Sequence, residues 1–245
     1  MAGAADYKIS LGGVQKIDAP GGKIQFVAAP DSYTKILLHF DGTNTSQTFI
    51  DSGASNYTLS AVGTAQLDVS QKKFGTASLL LDGDSDYATV PDSDDWDFGT
   101  NNFTVDFWAY IANTNKQNMF VSLGYNSANS LIVYYQDAKL SAIYRNAALN
   151  NKTIVGSALT QNTWYHIALI KNNNYLILYL DGVTNGSYAP MQTNTVHADH
   201  IDIGYAMPRD QTLAYMQGNI DEMRISKGIA RWTNNFTPPT RSYGE

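Results

Sequence analysis

The nine residues Phe103–Ile111, FTVDFWAYI, alternate without a slip. Phe103, Val105, Phe107, Ala109 and Ile111 share one face at period two, and Thr104, Asp106, Trp108 and Tyr110 share the other. A helix repeats every 3.6 residues and cannot gather such a set, so this segment predicts a strand with one face on a core. The same reading extends along the chain. WYHIALIK (Trp164–Lys171) and YLILYL (Tyr175–Leu180) are joined by Asn172-Asn173-Asn174, which predicts a hairpin, and Asp181-Gly182 is a type I′ turn signal leading into Val183–Tyr188. Further strands are expected at Lys35–Asp41, Ser78–Asp82, Tyr87–Val90, Ile201–Gly204 and Asn219–Ser226, and one short helical turn at Lys227–Trp232. About a dozen short strands at turn spacings of roughly 8–12 residues imply an antiparallel β-sandwich or barrel.

Composition agrees. The chain of 245 residues holds 21 Asn and 21 Thr but two Glu, Glu222 and Glu245, a balance that suits turns and strands rather than helices. The net charge of −6 argues against nucleic-acid or anionic-membrane partners. The absence of Cys removes disulfides, thiolate metal sites and thiol nucleophiles. No apolar run approaches the roughly 18 residues of a membrane span, and the start MAGAADYKISLGGVQ lacks the pattern of a secretory signal. The six N-x-[ST] sequons, at Asn44, Asn56, Asn102, Asn151, Asn185 and Asn235, read as by-products of an Asn/Thr-rich chain. Residues 1–30 are Gly-rich, with short alternating runs at Val14–Ile17 and Lys23–Val27 around the turn Ala19-Pro20-Gly21-Gly22. They form an expected hairpin arm, too small for its own core and suited to attachment, followed by one domain over residues 31–245.

Five blocks in order carry a family resemblance: LLHFDGT (Leu37–Thr43), KFGTASLLLDGDSDYATVP (Lys73–Pro91), DWDFGTNNFTVDFWAYI (Asp95–Ile111), TWYHIALIKNNNYLILYLDG (Thr163–Gly182) and GNIDEMRISKGIARWTNNFTPPT (Gly218–Thr240). Lys35–Thr240 thereby resembles a concanavalin A-like, laminin-G-like jelly-roll domain of the kind found in phage structural proteins and bacterial surface proteins. The resemblance implies an all-β antiparallel jelly roll with Asn219–Ser226 beside Lys35–Asp41. It also implies one structural Ca²⁺ near the ends of the first and last strands, with Asp41 and Asp221 as matching ligands. The competing reading of this pair is a turn aspartate before Gly42 and an aspartate paired with Arg224 or a backbone amide.

The fold also hosts glycoside hydrolases, which need two carboxylates across the scissile bond. The Glu-x-Asp-x-x-Glu type of strand motif is absent: no Glu precedes Glu222, and Asp92, Asp94, Asp95 and Asp97 fall in one acidic loop. There is no G-x-S-x-G elbow. His39 and His166 sit inside strands and read as hydrogen-bonded structural residues. His197-Ala198-Asp199-His200 offers metal-ligand types without a supporting helix, and Asp82-Gly83-Asp84-Ser85-Asp86 reads as a β-turn rather than a calcium loop. Sugar binding requires exposed aromatic and planar polar groups, for which Tyr125, Tyr134, Tyr135, Tyr144, Tyr205 and Arg209 are candidates. The expected function is non-enzymatic: a phage virion protein, decorating a capsid or associated with a tail or fibre, assembled in the host cytoplasm in many copies. It attaches to other virion proteins through its arm and presents a lectin-like domain to host-surface glycans. A scaffolding module without glycan binding and a bacterial surface adhesin are the alternatives.

Overall fold

A computed structural model describes residues 14–18, 24–28, 30–124, 130–145, 151–189, 191, 198–206 and 214–244. In chain order the strands are β1 (Val14–Asp18), β2 (Ile24–Ala28), β3 (Thr34–Leu38), β4 (Ser60–Val62), β5 (Gln66–Asp68), β6 (Ser78–Asp82), β7 (Tyr87–Val90), β8 (Phe103–Ile111), β9 (Asn118–Leu123) and β10 (Leu131–Gln136). They continue with β11 (Lys139–Arg145), β12 (Asn151–Val155), β13 (Trp164–Asn172), β14 (Tyr175–Leu180), β15 (Val183–Tyr188), β16 (Ile201–Ile203), β17 (Tyr205–Ala206), β18 (Ala214–Tyr215) and β19 (Gln217–Lys227). One 3₁₀ turn, Asp94–Trp96, is capped by the Ser93 hydroxyl and lies within the acidic loop.

Two antiparallel sheets stack into a sandwich. The seven-stranded sheet has the order β12-β11-β10-β9-β16-β7-β4, and the eight-stranded sheet the order β15-β14-β13-β8-β19-β6-β5. The crossovers are those of an all-β jelly roll, as the sequence pattern implies. The alternation of β8 is realised: Phe103, Val105, Phe107, Ala109 and Ile111 enter the main core, where they meet Phe120, Val121 and Leu123 of the opposite sheet. Among the described residues β1 and β2 pair with each other alone, in register Val14↔Ala28 to Asp18↔Ile24, which is the expected hairpin.

The turns follow their residues. Asp181 and Gly182 both take positive φ, 48° and 75°, as a type I′ turn requires. β13 and β14 pair through Asn172↔Tyr175, so the loop is Asn173-Asn174, one residue shorter than the three-Asn reading.

Two expectations are corrected or explained by β19. It runs on to Lys227, and Gly228 at φ +89° turns the chain off the sheet, so no helical turn forms at Lys227–Trp232. Its imperfect alternation has a cause: pairing with β8 shifts between Asp221 and Arg224, and Glu222 takes φ +48°. This bulge lets Ile220 and Met223 both face the core although three positions separate them. It also lies where β19 exchanges neighbours, since its first half pairs with β6 and its second half with β3.

Candidate functional site

The outer face of the eight-stranded sheet is not left to solvent. After β19 the chain crosses it as an irregular strap, residues 228–244. Trp232 stacks on Phe236 at 3.9 Å between centroids, and both lie edge-on to His166 at 5.7 Å. Ala168, Ile170 and Tyr179 complete a second apolar cluster under this strap.

Beside the cluster lies a buried ionic network. Arg224 donates from Nε and Nη2 to the two oxygens of Asp106, at 3.1 and 3.0 Å. The Tyr243 hydroxyl donates to Asp106 Oδ2 and accepts from His166 Nε2 at 3.2 Å. Tyr243 N–H donates to Glu222 Oε2 at 2.9 Å, and Glu222 holds His39 at 3.0 Å. Asp106 and His166 are wholly buried. Burial, the largest single influence, would raise the Asp106 carboxyl, but the charge and hydrogen bonds of Arg224 together with the neighbouring His166 outweigh it and hold the group well below the usual carboxylate range. The same competition acts at His39: burial pulls it down, and the Glu222 carboxylate lifts it above the ordinary imidazole value. His39 and His166 are therefore hydrogen-bonded structural residues, as expected of histidines within strands.

The structure does bring Asp41 and Asp221 together, on one loop. Asp221 Oδ2 accepts from the N–H groups of Lys73 and Phe74 at 2.7 and 3.1 Å, and its Oδ1 from Glu222 N–H at 2.8 Å. Asp41 Oδ1 accepts from Thr76 N–H, from Thr76 Oγ1 at 2.9 Å and from Ala77 N–H at 3.3 Å. Between them Gly75, at φ +57°, leaves no room for a Cβ, which would stand 2.2 Å from Asp41 Oδ1. Calcium takes six to eight oxygen ligands. Here N–H donors face both oxygens of the wholly buried Asp221, and no group of three or more metal-ligating side chains gathers among the described residues. As placed, the pair does not fit an oxygen cage. The two aspartates instead clamp the loop Lys73–Ala77. Burial, opposed by the backbone N–H groups of Phe74 and Lys73 and aided by the charge of Glu222, pushes the Asp221 carboxyl up to about 7.

What that loop carries is the candidate site. Lys73 and Phe74 project beside Trp108 and Trp164 into an open cleft of about 510 Å³, whose other walls are Asp181 and the strap residues Thr237–Thr240. Phe74 meets Trp108 edge-on at 5.8 Å, and Lys73 Nζ lies 3.9 Å above the Trp108 ring. Trp164 is oriented by an Nε1–H bond to Gln71 Oε1 at 3.1 Å and packs on Tyr110 at 5.5 Å. Asp181 is anchored by the N–H of His166 on its Oδ1, at 2.8 Å. The floor is aromatic and the rim polar, the composition of a small-ligand site.

The tyrosines singled out by sequence divide differently. Tyr135 and Tyr144 are buried in the main core. Tyr205 is buried between Tyr87 and Tyr215, stacked at 4.7 and 5.0 Å. Tyr134 is half-buried on the outer face of the seven-stranded sheet, beside a cleft of about 110 Å³ with Met119, Ile132 and Ile143. Tyr125, Arg209 and His197 lie outside the described residues, while His200 bonds Asp199 and Asp202 at 2.7 and 3.2 Å. Asp82 caps its own turn by accepting from Asp84 and Ser85 N–H, so Asp82–Asp86 is a β-turn. The cleft residues Lys73, Phe74 and Asp181 escape a search for exposed tyrosines; the Gly75 kink inside KFGTA and the turn Asp181-Gly182 were the available signals.

No curated protein sequence matches the chain. Among solved structures it is similar to the botulinum neurotoxin serotype D ligand-binding domain in complex with N-acetylneuraminic acid, at 18% identity and a TM-score of 0.62, covering 81% of this chain and 48% of that one. It is also similar to the binding domain of Paraclostridial Mosquitocidal Protein 1, at 16% identity and a TM-score of 0.62, covering 80% and 49%. The botulinum neurotoxin serotype G binding domain matches at 15% identity and a TM-score of 0.60, covering 79% and 48%. The chain spans about half the length of these structures, and the likeness shows the fold. A family profile matches residues 82–231, more than half of the sequence, from the end of β6 to the strap. With the jelly-roll order of the strands, that match places the chain in the concanavalin A-like lectin/glucanases superfamily.

Proposed function

We propose that the chain is a non-catalytic carbohydrate-binding module displayed in many copies on a phage particle, where the hairpin β1–β2 attaches it to other virion proteins. The aromatic cleft at Lys73, Phe74, Trp108 and Trp164 carries the reading. Sugar rings stack their C–H faces on aromatic side chains, and the rim supplies fixed polar partners. Hydrolysis needs a second carboxylate across the bond, and Asp181 is the one carboxylate lining this cleft among the described residues. The related fold of a neurotoxin domain complexed with N-acetylneuraminic acid supports the ligand class.

A glycan array tests the ligand. The wild-type chain binds a discrete set of glycans, and Trp164→Ala or Phe74→Ala lowers that binding at least tenfold with little change in melting temperature. A blank array leaves the scaffolding alternative. The arm is tested separately. Deleting residues 1–29 leaves a folded, glycan-binding sandwich that no longer joins particles, and normal assembly of the truncated chain rejects attachment through the hairpin.

A further inference from the structure

The position of Lys73 narrows the ligand beyond carbohydrate. Its backbone is clamped by Asp221, and its ammonium rests over the Trp108 indole face, 3.9 Å from the centroid and 5.7 Å from that of Phe74. No carboxylate lies within 4.0 Å of Nζ among the described residues. Asp181 lines the same cleft but takes the His166 N–H instead, and Asp221 is buried beneath the loop. Among the described residues the cleft thus holds a cation paired only with aromatic rings, an interaction weaker than a charge-assisted hydrogen bond.

This arrangement treats neutral and acidic sugars differently. The ammonium occupies the Trp108 face on which a neutral sugar would stack, so such a ligand must displace it. A sugar bearing an anion meets the ammonium where it already sits, and the rings of Trp164 and Phe74 remain for its C–H face. We propose that the cleft selects glycans carrying an acidic group, carboxylate or sulfate, with Lys73 Nζ as the partner of the anion. This rests on the carbohydrate-binding reading of the same cleft.

Calorimetric titration of the full chain with matched pairs tests it. One pair is a glucuronic acid-terminated oligosaccharide and the same molecule with its carboxyl reduced to the alcohol. The other is a galactose-terminated oligosaccharide with and without a 6-sulfate. At least one acidic member binds about tenfold or more tightly than its neutral twin, as a charged hydrogen bond supplies. The gap narrows as salt rises from about 0.15 to about 0.5 M. Lys73→Met collapses the gap and Lys73→Arg retains it, with melting temperatures confirming that both variants fold. Equal affinity for both members of each pair overturns the acidic preference while leaving carbohydrate binding intact. Failure to bind any member overturns both.

Discussion

Asp106 and Phe107 are neighbours in β8, and both are wholly buried, but on opposite faces of the same sheet. Phe107 enters the main core and packs on Phe120 at 5.8 Å. Asp106 faces the strap and meets a guanidinium and a phenol. Inside the sandwich, burial is satisfied by shape alone. On the outer face each polar group must be given a partner, because desolvating a charge costs several kcal/mol that its pairing has to offset. The difference shows what the strap adds: it converts a solvated sheet face into a second interior whose order depends on specific pairs.

Single substitutions do not separate the two interiors, but double ones do. Phe107→Ala lowers stability by about 3–5 kcal/mol, read by denaturant unfolding, since the cavity cannot be refilled from outside. Asp106→Ala costs a similar amount, about 3–5 kcal/mol, because Arg224 is left buried and uncompensated. Replacing both partners, Asp106→Leu with Arg224→Met, recovers most of the loss. No second truncation at Phe120 rescues Phe107→Ala. If the double variant is as unstable as Asp106→Ala, the outer face is not held by pairing and the contrast fails. Tyr243→Phe is smaller, about 1–3 kcal/mol, from the Asp106 and His166 atoms that lose its hydroxyl.

The two interiors were also unequally legible in the sequence. The inner face was open to reading because alternation is local: Phe103 to Ile111 states its own orientation. The pairing of the last strand with the first followed from the resemblance. The outer network was not open, because Asp106, Arg224, Glu222 and Tyr243 lie far apart in sequence and meet only through strand order and the return of the strap. The bulge at Asp221-Glu222 left a visible trace, the broken alternation of Asn219–Ser226, without saying what broke it. Asp41 and Asp221 both bond the loop Lys73–Ala77. Their common partner is a row of backbone N–H groups, and backbone donors leave no mark on a sequence.

That bulge supplies the test by pH, because its groups oppose the rest of the network in their response to it. Asp221 titrates at about 7 in the fold against 3.8 as a free side chain, so the folded state binds the extra proton. Its contribution is present below about pH 4 and is lost as pH rises toward 7. His39, raised by Glu222, acts in the same direction: its contribution is full below 6.5 and lost as pH rises through its folded value. Asp106 and Asp31, the latter lowered to about 2 by Arg231 against the upward pull of its partial burial, act oppositely and weaken the fold only under stronger acid. The melting temperature is therefore highest near pH 4 and falls by several degrees toward pH 8, a few kcal/mol in a chain of this size. Asp221→Asn, which cannot titrate, flattens most of that fall, whereas a profile unchanged by the substitution places the titration elsewhere. EDTA leaves the wild-type curve where it is, since the oxygens of Asp221 are occupied by N–H donors. A drop in melting temperature on chelation, reproduced by Asp221→Asn and reversed by added Ca²⁺, restores the cation to this pair and makes the clamp on the Lys73 loop a metal site.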